Sequence, residues 1–136
     1  MTVLKLVLLT PLLFTSGTHT IRSFDIFWKV YATCDGAADA IGARLCFSVK
    51  EMVITSVNFQ LINDRSGQTG IAVHLVSVEA SPPGLPKGLT SAVSVTYAFF
   101  GGPIEYYAGA QVYIVGTKKI DDIASSIFSA IKKRCP

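Results

Sequence analysis

Charge is scarce in this chain. Only 15% of its 136 residues are Asp, Glu, Lys or Arg, and there are two histidines. That leaves nine carboxylates and two imidazoles for acid–base chemistry. No G-x-S-x-G elbow and no H-E-x-x-H occurs, which removes the familiar serine-hydrolase and zinc-protease arrangements. Three cysteines, Cys34, Cys46 and Cys135, include no C-x-x-C pair, so neither a zinc ribbon nor a thioredoxin-type motif is present. The apolar run near the start, Leu6–Phe14, is too short for a bilayer span, which takes roughly 20 residues. The tyrosines are not interleaved with Lys or Arg, and a net charge of +3 is mild, so the footprint of a nucleic-acid binder is missing. These absences point to a non-enzyme with no cofactor and no metal, no nucleic-acid partner and no integral membrane span.

Apolar residues are plentiful. They make up 50% of the chain, enough for one domain with a real core. Met1–Thr20 has a lone Lys5, an apolar stretch and small residues after it. It is either a secretory signal or, over Val3–Leu9, a fifth strand, and localisation stays open between secreted and cytoplasmic. A single α+β domain is expected over 21–136. Phe24, Phe27, Trp28 and Tyr31 fall at helical spacing behind Ser23, so a helix is expected from Ser23 through Arg44.

Three strands should follow: Phe47–Ile62, Gly70–Ala80 and Ser91–Phe100, the first two joined by a hairpin turn at Asn63–Gly70. In the second, Ile71, Val73 and Leu75 share one face, and then Val76 and Val78 take the other, which calls for a bulge or for cover on both faces. His74 lies on the polar face without a ligand-spaced neighbour, and no spacing marks Cys34 or Cys46 with His74 as a nucleophile–base pair. Ser81–Gly88, with three prolines, reads as a stiff connection lacking the order of a phosphate loop. A fourth strand runs over Ile104–Val115, with Gly109 as a weak point or bulge. Last, Ile120, Ile123, Ala124, Ile127, Phe128, Ile131 and Cys135 make one stripe of an amphipathic helix over Lys118–Arg134, with Thr117 able to cap it.

The expected fold is α+β: a mostly antiparallel four-stranded sheet, with a candidate fifth N-terminal strand and two helices on one face. The segment Ala37–Leu45, continuing through Cys46–Ile54 and two strands to Phe99, resembles the trypsin-co-occurring domain 2 family. The resemblance spans about residues 37–100. It implies a helix followed by a β-meander and an accessory or adaptor role beside proteases. The chain departs from it by having almost no spacer after the helix, and by adding a fourth strand and a C-terminal helix.

A protein partner, or a second copy of the chain, is therefore expected. The fourth strand has no Lys or Arg and no Pro after Pro103, so it reads as an unblunted edge. Tyr106, Tyr107, Val112 and Tyr113 are the candidate interface, and Asp64, Arg65 and Lys87 are candidate loop contacts. The alternative is a secreted protein holding an apolar or small-molecule ligand between sheet and helices. The cysteines read as buried thiols, or as one disulfide with one thiol left over.

Overall fold

The stripe at the end of the sequence forms the helix it predicts. In the computed structural model, which describes residues 27–37 and 39–136, the elements in order are β1 (Trp28–Ala37), α1 (Ala40–Thr55), β2 (Phe59–Ile62), β3 (Thr69–Glu79), β4 (Thr90–Gly101) and β5 (Ile104–Gly116). One 3₁₀ turn (Thr117–Lys119) then leads into α2 (Ile120–Arg134). Ile120, Ala124, Ile127 and Ile131 of α2 are at most 2% exposed. Asp121 and Asp122 in the first turn and Lys132, Lys133 and Arg134 in the last suit the helix dipole. Thr117 does not cap α2: it lies in the 3₁₀ turn, and Lys119 occupies the N-cap position with no side-chain bond.

The strands form one sheet in the order β2-β1-β3-β4-β5. β1 runs parallel to both β2 and β3, while β3–β4 and β4–β5 are antiparallel. Both helices cover the same face. Val30, Ile71, Val73, Leu75, Val93, Val95 and Tyr97 from the sheet meet Ile41, Leu45, Val49 and Val53 of α1 and the stripe of α2 in one core. Ser81–Gly88 lies within the β3–β4 hairpin connection, closed by Ala80 N–H donating to the Thr90 carbonyl. The expected bulge falls at Gly109, whose φ of +142° needs a glycine and whose position coincides with the break in β4–β5 register. The α+β class, the mostly antiparallel sheet and the two helices on one face match the expectation.

The first half of the chain departs from it. Trp28–Ala37 is a strand and not part of a helix. An aromatic pattern that covers barely two helical turns fits a strand too, and Val30, Tyr31 and Thr33 favour strand geometry. Trp28 packs on Phe99 (ring centroids 6.5 Å apart) and Tyr31 on Phe100 (6.4 Å), on opposite faces of the sheet. Conversely, Phe47–Thr55 is helix. Ile41, Leu45, Val49 and Val53 recur every four residues and are buried, whereas Phe47 and Ile54 are exposed. Only Phe59–Ile62 of the expected first strand is a strand. It pairs with β1, so residues 63–68 form a crossover past β1 instead of a hairpin turn. The Val3–Leu9 strand, the signal-like segment and Ser23–Ile26 lie outside the described residues.

Asp39 starts α1. Its carboxylate accepts from Gly42 N–H (2.6 Å), from Ser77 Oγ (2.9 Å) and from Ser91 Oγ (3.0 Å). Ser77 and Ser91 are buried, so one side chain both caps the helix and ties it to β3 and β4. A Cβ on Gly42 would sit 2.5 Å from Ser77 Cβ, so glycine is required for this approach.

Candidate functional site

The face of the sheet away from the helices carries alternate residues of β1, β3, β4 and β5, and it divides into two halves. At one end the β2–β3 loop folds over Ile62, Ala72, Ala98 and Phe100, a small second core. Arg65 of that loop lies 5.3 Å from the Tyr31 ring centre and 5.5 Å from that of Phe100, a cation–π arrangement. Its guanidinium pairs with Glu105, which also bonds His74 Nε2 at 2.9 Å. His74 Nδ1 is 2.7 Å from Thr33 Oγ1. Ala98 stands between Glu105 and His74 on the intervening strand, and its small side chain lets the two meet. Loop, β1, β3 and β5 are thereby clamped through one polar chain. Beside it, Tyr31, Asn63, Asp64, Ser66 and Pro103 line a hollow of about 320 Å³.

The other half is apolar and bare. In register, Val76, Ser94 and Val112 form one row across β3, β4 and β5, and Val78, Ala92 and Ile114 form the next. The four large side chains are 50%, 74%, 58% and 67% exposed, in the order Val76, Val112, Val78, Ile114. Small residues down β4 make the centre a shallow trough. Tyr107, 74% exposed, stands further along the same face of β5. Among the described residues, no element lies over this patch. A contiguous exposed apolar surface of this kind is the candidate site of the chain.

The residues singled out from sequence separate accordingly. Tyr107 and Val112 lie on the open face, and Tyr106 is exposed near the start of β5. Tyr113 turns the other way, donating its hydroxyl to Gln111 Oε1 at 2.8 Å, with burial raising its phenol above the ordinary value. Arg65 joins the clamp and is not a free loop contact. Asp64 stays exposed and accepts from Ser66 N–H, which lowers its carboxyl. Lys87 is exposed in the proline-rich loop that joins β3 to β4. Val76, Val78 and Ile114 are the site residues that sequence reading passed over. The signal for the first two was the parity change within β3. The β3–β4 register runs unbroken from Thr69 to Glu79, and the β1–β3 irregularity between Thr33 and Gly36 puts its extra residue on β1, so no bulge in β3 explains it.

Cys34 and Cys46 form a disulfide joining β1 to α1, with Cα atoms 6.2 Å apart. Cys135 is the free thiol, and burial pushes it up to about 11 against the opposing charge of Arg134. Thiol titration in denaturant should therefore find one reactive group per chain before reduction and three after. Three before reduction would exclude the bond. Among the described residues no three His, Cys, Asp or Glu side chains converge as a metal set, and no helix is long and apolar enough to cross a membrane.

No protein-family model matches the chain, and a search of curated proteins finds no match. Among the solved structures similar in outline are two that cover most of the chain. One is a hypothetical protein from Chlamydia trachomatis, 9% identical, with a TM-score of 0.46 over 79% of this chain and 95% of that one. The other is a minor lipoprotein from Acinetobacter baumannii, 15% identical, with a TM-score of 0.41 over 82% of this chain and 98% of that one.

Proposed function

We propose that this small α+β domain is a non-catalytic interaction module that associates with a second copy of itself through the open face of the sheet. The observation that carries the reading is the trough flanked by Val76, Val78, Val112 and Ile114, half or more exposed on a rigid antiparallel platform. Two such faces related by a two-fold axis bury each other as the layers of a sandwich do, and that symmetry is the commonest in soluble oligomers. The Thr33–His74–Glu105 chain serves as a clamp in this reading. Glu105 is shared with Arg65, and its role is to hold the β2–β3 loop on the sheet.

The Cys34–Cys46 disulfide supports work in an oxidising compartment, where such bonds persist. A ligand held between sheet and helices is the weaker reading, because side chains of the two layers meet there directly.

Light scattering at micromolar concentration tests the proposal. The expected mass is twice that of one chain, and the double variant Val76→Lys/Val78→Lys is expected to return it to a single chain without loss of thermal stability. A single-chain mass for the native protein at every concentration would sink the proposal.

A further inference from the structure

The outer edge of β5 faces α2 across a groove of about 570 Å³, lined by Gln111, Ser125, Ser126, Ser129, Lys133 and Arg134. The helix runs back along the strand. It begins just after Gly116, and its last turn reaches the bulge, where Arg134 Nε donates to the Ala108 carbonyl at 3.3 Å. Among the described residues no strand pairs with this side of β5, which leaves its main-chain groups there without a strand partner, the Ala108 carbonyl being taken by Arg134. From Ser126 to Arg134 the helix rises roughly 12 Å, the length of about four extended residues. An extended chain therefore fits alongside.

The chemistry of the walls is one-sided. Gln111 Oε1 accepts from the hydroxyls of Tyr97 (2.7 Å) and Tyr113 (2.8 Å), which leaves its amide nitrogen as the remaining donor. Arg134 is fixed by its bonds to the Ala108 and Ala130 carbonyls and by stacking 4.3 Å from the Tyr97 ring centre. Gly109 gives its guanidinium room at the bulge, since a Cβ there would collide with it. Lys133 is exposed. Neither cation pairs with a carboxylate among the described residues, and no carboxylate lines the groove. The groove thus offers cations and hydroxyls beside an open strand edge.

We propose that this groove takes an extended acidic peptide segment, added to β5 as a sixth strand, with its carboxylates at the Lys133–Arg134 end. Strand addition beside a helix supplies main-chain hydrogen bonds, and the basic end selects for charge. The proposal rests on the reading of the chain as an interaction module, but it uses the opposite side of β5 from the proposed self-association.

The probe is a fluorescein-labelled hexapeptide of alternating threonine and valine ending in two glutamates, followed by anisotropy on the full chain. Saturable binding is expected, weakened about tenfold by Lys133→Glu and further by raised salt. A version N-methylated at alternate residues, which cannot donate to an edge, should not bind. No binding of the parent peptide overturns the proposal, as does binding indifferent to N-methylation or to Lys133→Glu. The Val76→Lys/Val78→Lys variant separates the two readings: it should lose self-association and keep the peptide. Loss of the peptide in that variant would move binding to the open face and overturn the groove.

Discussion

Ile127→Asp is expected to abolish the cooperative thermal transition of the domain. Ile127 is 0% exposed at the centre of the α2 stripe, with Ala124 and Ile131, also 0% exposed, a turn away on either side. Nearby, Phe128 meets Phe59 edge-on at 5.7 Å, pinning the same helix to β2. Aspartate there loses the apolar burial and places a carboxylate among side chains that offer it no donor. Such a change costs upwards of about 4 kcal/mol, against a total stability of roughly 5–15 kcal/mol for a domain. Ser125→Asp, on the exposed side of the same helix, should alter stability by less than about 0.5 kcal/mol and serves as the control. Circular dichroism melting decides it. A near-native midpoint for Ile127→Asp would mean that α2 is not docked.

Asp39→Ala should produce the next largest loss, because one carboxylate satisfies three groups. Its removal leaves the Ser77 and Ser91 hydroxyls buried without their acceptor and α1 without its cap. Each orphaned hydroxyl costs about 1–3 kcal/mol and the cap about 1 kcal/mol. These effects overlap, and Asp39 is only half-buried, so a total of about 2–4 kcal/mol is expected. The effect should depend on pH. Burial acts to raise the Asp39 carboxyl, but the Gly42 N–H and the two serine hydroxyls outweigh it and hold the group below its ordinary value of 3.8. A carboxyl depressed in the folded state stabilises the fold above its unfolded value, and that contribution disappears as pH falls through the folded one. The gap in stability between the native protein and Asp39→Ala should therefore be full at pH 6 and shrink below 3.8. A gap that stays constant down to pH 2 would exclude the network as its source.

The parts of the fold that could be read from sequence are those where one signal dominates. In α2 the apolar stripe persists over four turns, and in β4 strict alternation from Val93 to Tyr97 places every second residue at 0% exposure. α1 reads from sequence as part helix and part strand because two patterns overlap in it. Its buried stripe has a period of four, but Phe47 and Ile54, both exposed, fill the gaps and imitate a strand. β1 reads as helix from sequence because Phe24 to Tyr31 covers barely two turns, too short to separate the periods. The parallel pairing of β1 with β2 and β3 depends on contacts 31 and 41 residues apart, such as Trp28 with Phe59 and Val30 with Ile71, which no local pattern encodes.

The candidate site was legible as an anomaly without its meaning. Val76 and Val78 broke parity, yet the chain there does not turn over. The helix-side positions 77 and 79 go to Ser77, which is buried and bonds Asp39, and to Glu79, which is exposed at the strand end and bonds Ser81. Polar residues on the helix side and apolar residues on the open side give the appearance of a flipped strand. Only the partner Asp39, 38 residues away, explains the inward serine.

The two edges of the sheet are unequal, and this bears on how far association can run. β5 is 13 residues long, whereas β2 at the opposite edge has four. Head-to-tail stacking of copies, β5 of one against β2 of the next, would repeat without limit and give fibres. A four-residue edge offers only about 13 Å of ladder to such a joint, and short edge strands are a known safeguard against it. A chain added at β5 therefore meets a sheet whose far edge is too short to pass the addition on.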